Sequence, residues 1–257
     1  MKVVPVPCLS DNFAYLIICE ETGEAGVVDP SEAPPVKQAI AKAGVKLTAI
    51  LNTHHHWDHI GGNKGLLADH GNLKVYGHKS DAGRIDGFTH GLDTGDTFTV
   101  GRINFSVLHN PGHTTGAITF LAEGCAFTGD TLFAAGCGRV FEGTMEMMYA
   151  SLNDVLGSLP DETRIYFGHE YTENNLRFAA EVEPDSRDVQ DRWAEVRKTR
   201  AAGRFTTPSV MAEERRTNPF LRCAAPAVKA GAKKADPGSA DSPAAVFGAI
   251  RGWKDRF

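Results

Sequence analysis

Thr53-His54-His55-His56-Trp57-Asp58-His59 packs four histidines and an aspartate into seven residues. Imidazoles and a carboxylate converging on one point leave lone pairs unmatched, a cost that a divalent cation removes. The H-x-H-x-D-H spacing offers donors for two ions rather than one. His54 and His56 stand two apart, so an extended backbone sends both to the same side. Asp58 and His59 follow once the chain begins to turn, and Gly61 and Gly62 allow that turn to be tight.

Three later positions complete the constellation. His113 sits in Pro111-Gly112-His113-Thr114, Asp130 in Thr128-Gly129-Asp130-Thr131, and His169 in Phe167-Gly168-His169-Glu170. Each is a His or Asp beside a glycine at the exit of an expected strand, where a side chain reaches the rim of a sheet. His55 alternates away from its neighbours and reads as a packing residue or as support behind the ligands. Asp29, after its own strand, either orients a ligand histidine or simply forms a turn. His70, His78, His90 and His109 lack the spacing and read as ordinary polar residues.

The fold around these positions is legible from short apolar runs set between turn signals. Residues 14–19, 26–29, 47–51, 74–76, 103–108, 117–121, 125–128 and 164–167 read as strands. Val36, Ala39, Ile40 and Ala43 share a helical face that Gly44 ends. Met148, Leu152, Val155, Leu156 and Leu159 form a second face, with Thr144 as cap and Pro160 beyond. Strands in two groups with helices outside predict a sandwich of two sheets flanked by helices. After residue 169 the strand signals stop. Val189, Trp193 and Val196 mark a helix capped by Ser186; Val246, Ile250, Trp253 and Phe257 mark the last, behind Ser242-Pro243. Residues 223–242, rich in Ala, Lys, Gly and Pro, read as an exposed, mobile connection. The expected layout is a β-rich metal domain over 1–169 and a smaller helical domain over 170–257.

Composition narrows the function. No apolar run approaches membrane-spanning length and no leader pattern opens the chain, so a cytoplasmic protein without membrane partners is expected. Five cysteines without paired short spacing indicate neither a disulfide framework nor a cysteine zinc site. Residues 1–186 carry 24 acidic and 12 basic side chains, whereas residues 187–257 carry 8 and 15. The basic segment is interleaved with acids and lacks aromatic stacking residues, so a small anionic substrate suits it better than nucleic acid. A monomer is expected.

H-x-H-x-D-H followed by G-H, G-D and G-H resembles the metallo-β-lactamase superfamily. Longer segments narrow the likeness: Thr53–His59, Phe127-Thr128-Gly129-Asp130-Thr131-Leu132-Phe133, Gly136-Cys137-Gly138-Arg139 with Phe141-Glu142-Gly143-Thr144, and Gly168-His169-Glu170-Tyr171-Thr172. With Asn218-Pro219-Phe220 and the terminal Arg251-Gly252-Trp253-Lys254-Asp255-Arg256-Phe257, they resemble glyoxalase II, the hydroxyacylglutathione hydrolases. The resemblance implies an α+β fold, an αβ/βα sandwich with a smaller C-terminal helical domain. It implies two divalent ions, one held by His54, His56 and His113, the other by Asp58, His59 and His169, with Asp130 bridging. Zinc leads, and iron or manganese suits the same donors.

The implied reaction is hydrolysis of S-(2-hydroxyacyl)glutathione, typically S-D-lactoylglutathione, by a metal-bridged hydroxide, the second step of methylglyoxal detoxification. Asp58 and Asp130 then belong to the catalytic machinery. A thiolate leaving group, with a conjugate thiol pKa of about 8.5, needs no strong general acid. No G-x-S-x-G elbow offers another nucleophile, and Cys137 reads as a turn residue. The resemblance carries glutathione binding onto Arg139, Phe141, Tyr171, Arg251 and Lys254, with Phe141 replacing the tyrosine of some relatives. Arg251 and Lys254, three apart on the last helix, share a face that can meet a carboxylate. A persulfide dioxygenase or a lactonase of the same superfamily is the alternative.

Overall fold

The computed structural model describes residues 1–239 and 241–257. The chain divides into two compact units, one of residues 1–109 and 115–129, the other of 110–114 and 130–257.

The first unit contains β1 (Lys2–Cys8), β2 (Asn12–Ile18), β3 (Glu24–Val28), α1 (Ala33–Ala43), β4 (Lys46–Leu51), α2 (Trp57–Ile60), α3 (Asn63–His70), β5 (Lys74–His78), β6 (His90–Leu92), β7 (Thr97–Val100), β8 (Ile103–His109), β9 (Ile118–Ala122) and β10 (Cys125–Gly129). One sheet runs β1-β2-β3-β4-β5-β6, antiparallel through β3 and parallel from β3 to β6. Strands β7 to β10 pair antiparallel in sequence order. The sheets pack face to face: Tyr15 of β2 meets Phe127 of β10 at 5.8 Å between ring centroids, and Tyr76 of β5 stacks on Phe98 of β7 at 4.1 Å. All seven residues of β2 are buried, which is why it reads as an unbroken apolar run rather than an alternation. On the outer face of the first sheet, Val36 and Ile40 of α1 and Leu66 of α3 close over Val27, Ile50 and Val75. Gly44 ends α1 at φ 66°, as its position after the apolar stripe predicts. The parallel pair β3–β4 ends at Asp29 and at Asn52-Thr53, the usual place for a site on a parallel sheet.

The second unit carries the hairpin β11 (Leu132–Phe133) and β12 (Gly136–Cys137), then α4 (Met145–Ala150), β13 (Arg164–Phe167), α5 (Thr172–Val182), α6 (Arg187–Ala201), β14 (Ser209–Val210), α7 (Met211–Thr217), α8 (Pro226–Ala235) and α9 (Pro243–Lys254). The predicted caps are present: Thr144, Ser186 and Ser242 accept from the N–H groups of Met147, Val189 and Ala245. The expected single helix from 144 to 159 is instead composite, passing from α4 through a wide π-helical turn at 151–155 to a 3₁₀ turn at 156–158. Trp193 and Val189 of α6 pack with Leu176 and Ala179 of α5.

The reading of 223–242 as a mobile connection is corrected by α8, which occupies residues 226–235 and buries Val228, Gly231 and Ala232. An Ala/Lys-rich stretch is a good helix former once a neighbour accepts its small apolar face, and Pro226 is placed to start the helix. Residue 240 of that stretch lies outside the described residues. Helices α5 and α7 also escape the sequence pattern, since each turns a short apolar face into a largely charged segment.

Candidate metal centre

In the first unit the donors follow β4. His56 lies in extended backbone, and its ring meets that of His54, with Nε2 of His54 3.2 Å from Nδ1 of His56. Asp58 and His59 stand on α2, one turn long. The sequence assigns Gly61 and Gly62 to a tight turn, but their role is different. Neither has a positive φ; a Cβ would come within 2.6 Å of Ser31 O at Gly61 and of Pro30 O at Gly62. The glycines let α2 and α3 lie directly against the segment after β3.

That segment holds Asp29, at φ 47°. Its carboxylate accepts from the Thr53 N–H at 2.7 Å and the Thr53 hydroxyl at 2.6 Å. It also meets His59 Nδ1 at 3.0 Å, so His59 turns Nε2 toward Asp58, 3.8 Å away. Asp29, His54 and His59 bring donor atoms within 4.8 Å of one another, and all three are buried. Asn12 fixes Asp58 by donating to its backbone oxygen at 3.0 Å and its carboxylate at 3.2 Å. Asn12 and Asn52 are absent from the sequence-level site. Asn52 donates to His59 O and accepts from Asn63, a buried polar chain that sequence spacing does not reveal. His55 points elsewhere, with Nδ1 3.5 Å from the buried Asp81 carboxylate and Nε2 against Arg84.

In the second unit Asp130 gathers two histidines. Its Oδ2 lies 3.6 Å from His113 Nε2 and 3.3 Å from His169 Nε2. His113 presents Nε2 because its Nδ1 donates to the Arg139 backbone oxygen at 2.8 Å. His169 is held by Tyr171, whose ring stacks on it at 4.8 Å and 4°. Two imidazoles presenting Nε2 to one carboxylate, with partners behind them, is donor chemistry that fits a divalent ion of the zinc, iron or manganese class.

The hairpin β11–β12 explains the Gly136-Cys137-Gly138-Arg139 motif. A Cβ on Gly138 would sit 1.9 Å from Asp130 O and 3.1 Å from His113 Nδ1, so only glycine lets the chain pass behind two donors. Asn218 donates to Phe133 O and Gly136 O, and Glu214 accepts from the Ala135 N–H at 2.7 Å. Arg251, 2% exposed, donates to Cys137 O at 2.9 Å and lies over the Phe220 ring. Its guanidinium thus supports the turn at Cys137. Cys137 is buried, and burial raises its thiol pKa, consistent with a turn residue rather than a nucleophile.

The remaining predicted binding residues differ in character. Phe141 is largely exposed, with its ring 5.3 Å from that of His113. The Arg139 side chain is exposed and reaches Asp255 at 3.6 Å. Lys254 buries Nζ without a hydrogen-bond partner, 5.0 Å from the centre of the Phe178 ring. Burial first, and then the Arg251 charge, push its pKa down to about 7. Among the described residues no helix is long and apolar enough to cross a membrane.

Comparison with known proteins agrees with these features. The metallo-beta-lactamase superfamily model matches residues 10–169, and the hydroxyacylglutathione hydrolase C-terminus model matches residues 170–257. A hydroxyacylglutathione hydrolase of Synechococcus sp. (strain JA-3-3Ab) is 48% identical over all of both chains. The protein named hydroxyacylglutathione hydrolase cytoplasmic from Arabidopsis thaliana is 44% identical over all of this chain and 99% of its own. The crystal structure of ETHE1 from Myxococcus xanthus superposes with a TM-score of 0.67 at 28% identity, covering 99% of this chain and 98% of that one. The chain belongs to the hydroxyacylglutathione hydrolase family of the metallo-β-lactamase superfamily.

Proposed function

We propose that this chain hydrolyses S-(2-hydroxyacyl)glutathione thioesters, S-D-lactoylglutathione among them, to glutathione and a 2-hydroxy acid. Full-length identity to relatives named for that activity, with a matched C-terminal domain, carries this reading. We assign the metal-binding domain to residues 1–169 and the glutathione-binding domain to 170–257. The reading places the protein in the cytoplasm as a monomer.

Seven residues would hold two divalent ions, zinc first: His54, His56 and His113 for one, Asp58, His59 and His169 for the other, and Asp130 for both. Bound ions supply Lewis acidity, which lowers the pKa of water and polarises a carbonyl oxygen. The protein's part is orientation. Asp29 keeps the proton of His59 on Nδ1, the Arg139 carbonyl does the same for His113, and Asn12 fixes the rotamer of Asp58. These partners hold the donors in place before substrate arrives. The thiolate of glutathione departs without a protein acid.

Lys254 is the residue best suited to the glycine-end carboxylate. A buried ammonium lacking a counter-ion gains its partner only when an anion binds. Tyr171, Phe141 and the Arg139 side chain would frame the rest of the tripeptide, and Arg251 would act by supporting the turn at Cys137. The test is loss of thioester absorbance from S-D-lactoylglutathione, beside a lactone and a persulfide. Rapid loss, abolished by a chelator and by Asp130→Ala together with the bound metal, is expected. Preference for the lactone, or oxygen uptake with the persulfide, would move the chain to another activity of the superfamily.

A further inference from the structure

Away from residues 54–59, the first unit gathers another set of donors. His78 ends β5, Asp93 follows β6 by one residue, and His109 ends β8. One donor atom from each lies within 4.8 Å of the others. His78 is 6% exposed and its Nε2 has no hydrogen-bond partner. Asp93 Oδ1 is 3.9 Å away, beyond hydrogen-bond reach but close enough to share a ligand. A buried polar atom left in this way costs free energy that a bound group would recover.

The protonation pattern favours a cation. The His78 and His109 rings stack at 4.2 Å and 6°, an arrangement two imidazoliums would not tolerate. Burial and the neighbouring His109 lower the His78 pKa, which favours the neutral, ligating form of that ring. His109 donates Nε2–H to Thr115 O at 2.9 Å, which leaves the lone pair on Nδ1. His78 Nδ1 lies 2.7 Å from the Ser80 hydroxyl. With Nδ1–H donating there, and the longer contact from the Ser80 N–H at 3.3 Å given up, the Nε2 lone pair faces Asp93.

We propose that His78, Asp93 and His109 form a further metal site, taking one divalent transition ion such as Zn(II), separate from the hydrolytic centre. Two imidazoles and one carboxylate suit zinc, cobalt or nickel and disfavour calcium and magnesium, which take oxygen donors. Asp93 is 37% exposed, so water can complete the coordination. Lys79 opposes the ion: its Nζ lies 2.5 Å from Asp93 Oδ2, where it occupies the carboxylate and repels a dication. The site is therefore weaker than an unopposed three-donor site, and Lys79 sets its affinity.

The experiment titrates Zn(II) into the isolated holoenzyme and compares zinc uptake with that of His109→Ala and Asp93→Asn, which spare the buried His78. Wild type is expected to take up one more equivalent per chain than either variant. Lys79→Ala is expected to bind that equivalent several-fold more tightly, a change that a purely structural role for the cluster would not produce. Thioester hydrolysis should be equal in all four proteins at low zinc. Equal uptake by wild type and His109→Ala overturns the site, whatever the metal content of the hydrolytic centre.

Discussion

The Asp29 carboxylate reaches His59 Nδ1 at 3.0 Å while holding both the backbone N–H and the hydroxyl of Thr53. One side chain thus fixes the start of the histidine segment and the orientation of its last member. It does so from φ 47°, a conformation aspartate tolerates better than most residues. Asp29→Asn keeps the volume and removes the charge that makes His59 more basic. Metal affinity is expected to fall about 10- to 100-fold, the usual cost of losing such a partner, as read by competition with a chelator. Unchanged affinity would reduce Asp29 to a turn residue.

Gly138→Ala tests why the hairpin carries that glycine. The added methyl would overlap Asp130 O and press on the His113 ring nitrogen, so the backbone behind both donors must move. Thermal unfolding of the metal-free protein should show a loss of about 1–3 kcal/mol, the range for enforced overlap in a packed region. Metal content should fall with it. A fully loaded, equally stable variant would contradict the geometry.

Lys254 gives a pH dependence with a definite sign. A carboxylate is met by the ammonium form, and the pKa of about 7 means that this form is depleted as pH rises above 7. KM for the thioester should therefore climb from pH 7 to pH 9, with kcat changing less. Lys254→Met should raise KM at pH 6 and flatten the profile. Of the charged groups facing the amine, Arg251 and Arg177 disfavour its ammonium form, whereas Asp255 favours it but is itself paired with Arg251 and Arg139. A KM independent of pH in the wild type would remove Lys254 from the binding site.

The same residue affects stability in the opposite sense to Arg251. For Lys254 the folded pKa is below the unfolded 10.5, so the folded chain holds fewer protons between about 7 and 10.5. Stability rises with pH through that window, and the penalty is largest below pH 7. Lys254→Met should therefore raise Tm most at acid pH. Arg251→Met should lower Tm at every pH, because its loss leaves the Cys137 carbonyl buried without its donor. Melting curves of the two variants at pH 6 and pH 10 distinguish binding from scaffolding on one helix face.

The sequence by itself pointed to the candidate donors, most of the strand segments around them and the family, because these rest on local signals. Histidines two apart, a glycine beside each later donor, and apolar runs between turns are all legible without a partner. The caps at Thr144, Ser186 and Ser242 belong to the same class, since a cap is a contact between residues three apart. Only the tertiary structure decided the rest. Asp29 behind His59, Asn52 under the same residue and Arg251 on Cys137 join positions 30, 7 and 114 residues apart, where spacing carries no information. Gly61 and Gly62 read as turn residues and Gly138 only as part of a motif, yet what requires all three is the approach of distant backbone. Helix α8 looks like a linker until neighbouring helices take its small apolar face. His78 and His109 likewise look unrelated until β5 and β8 bring their rings to 4.2 Å. Local chemistry is written in neighbouring residues, whereas orientation and burial depend on which distant segments the fold brings together.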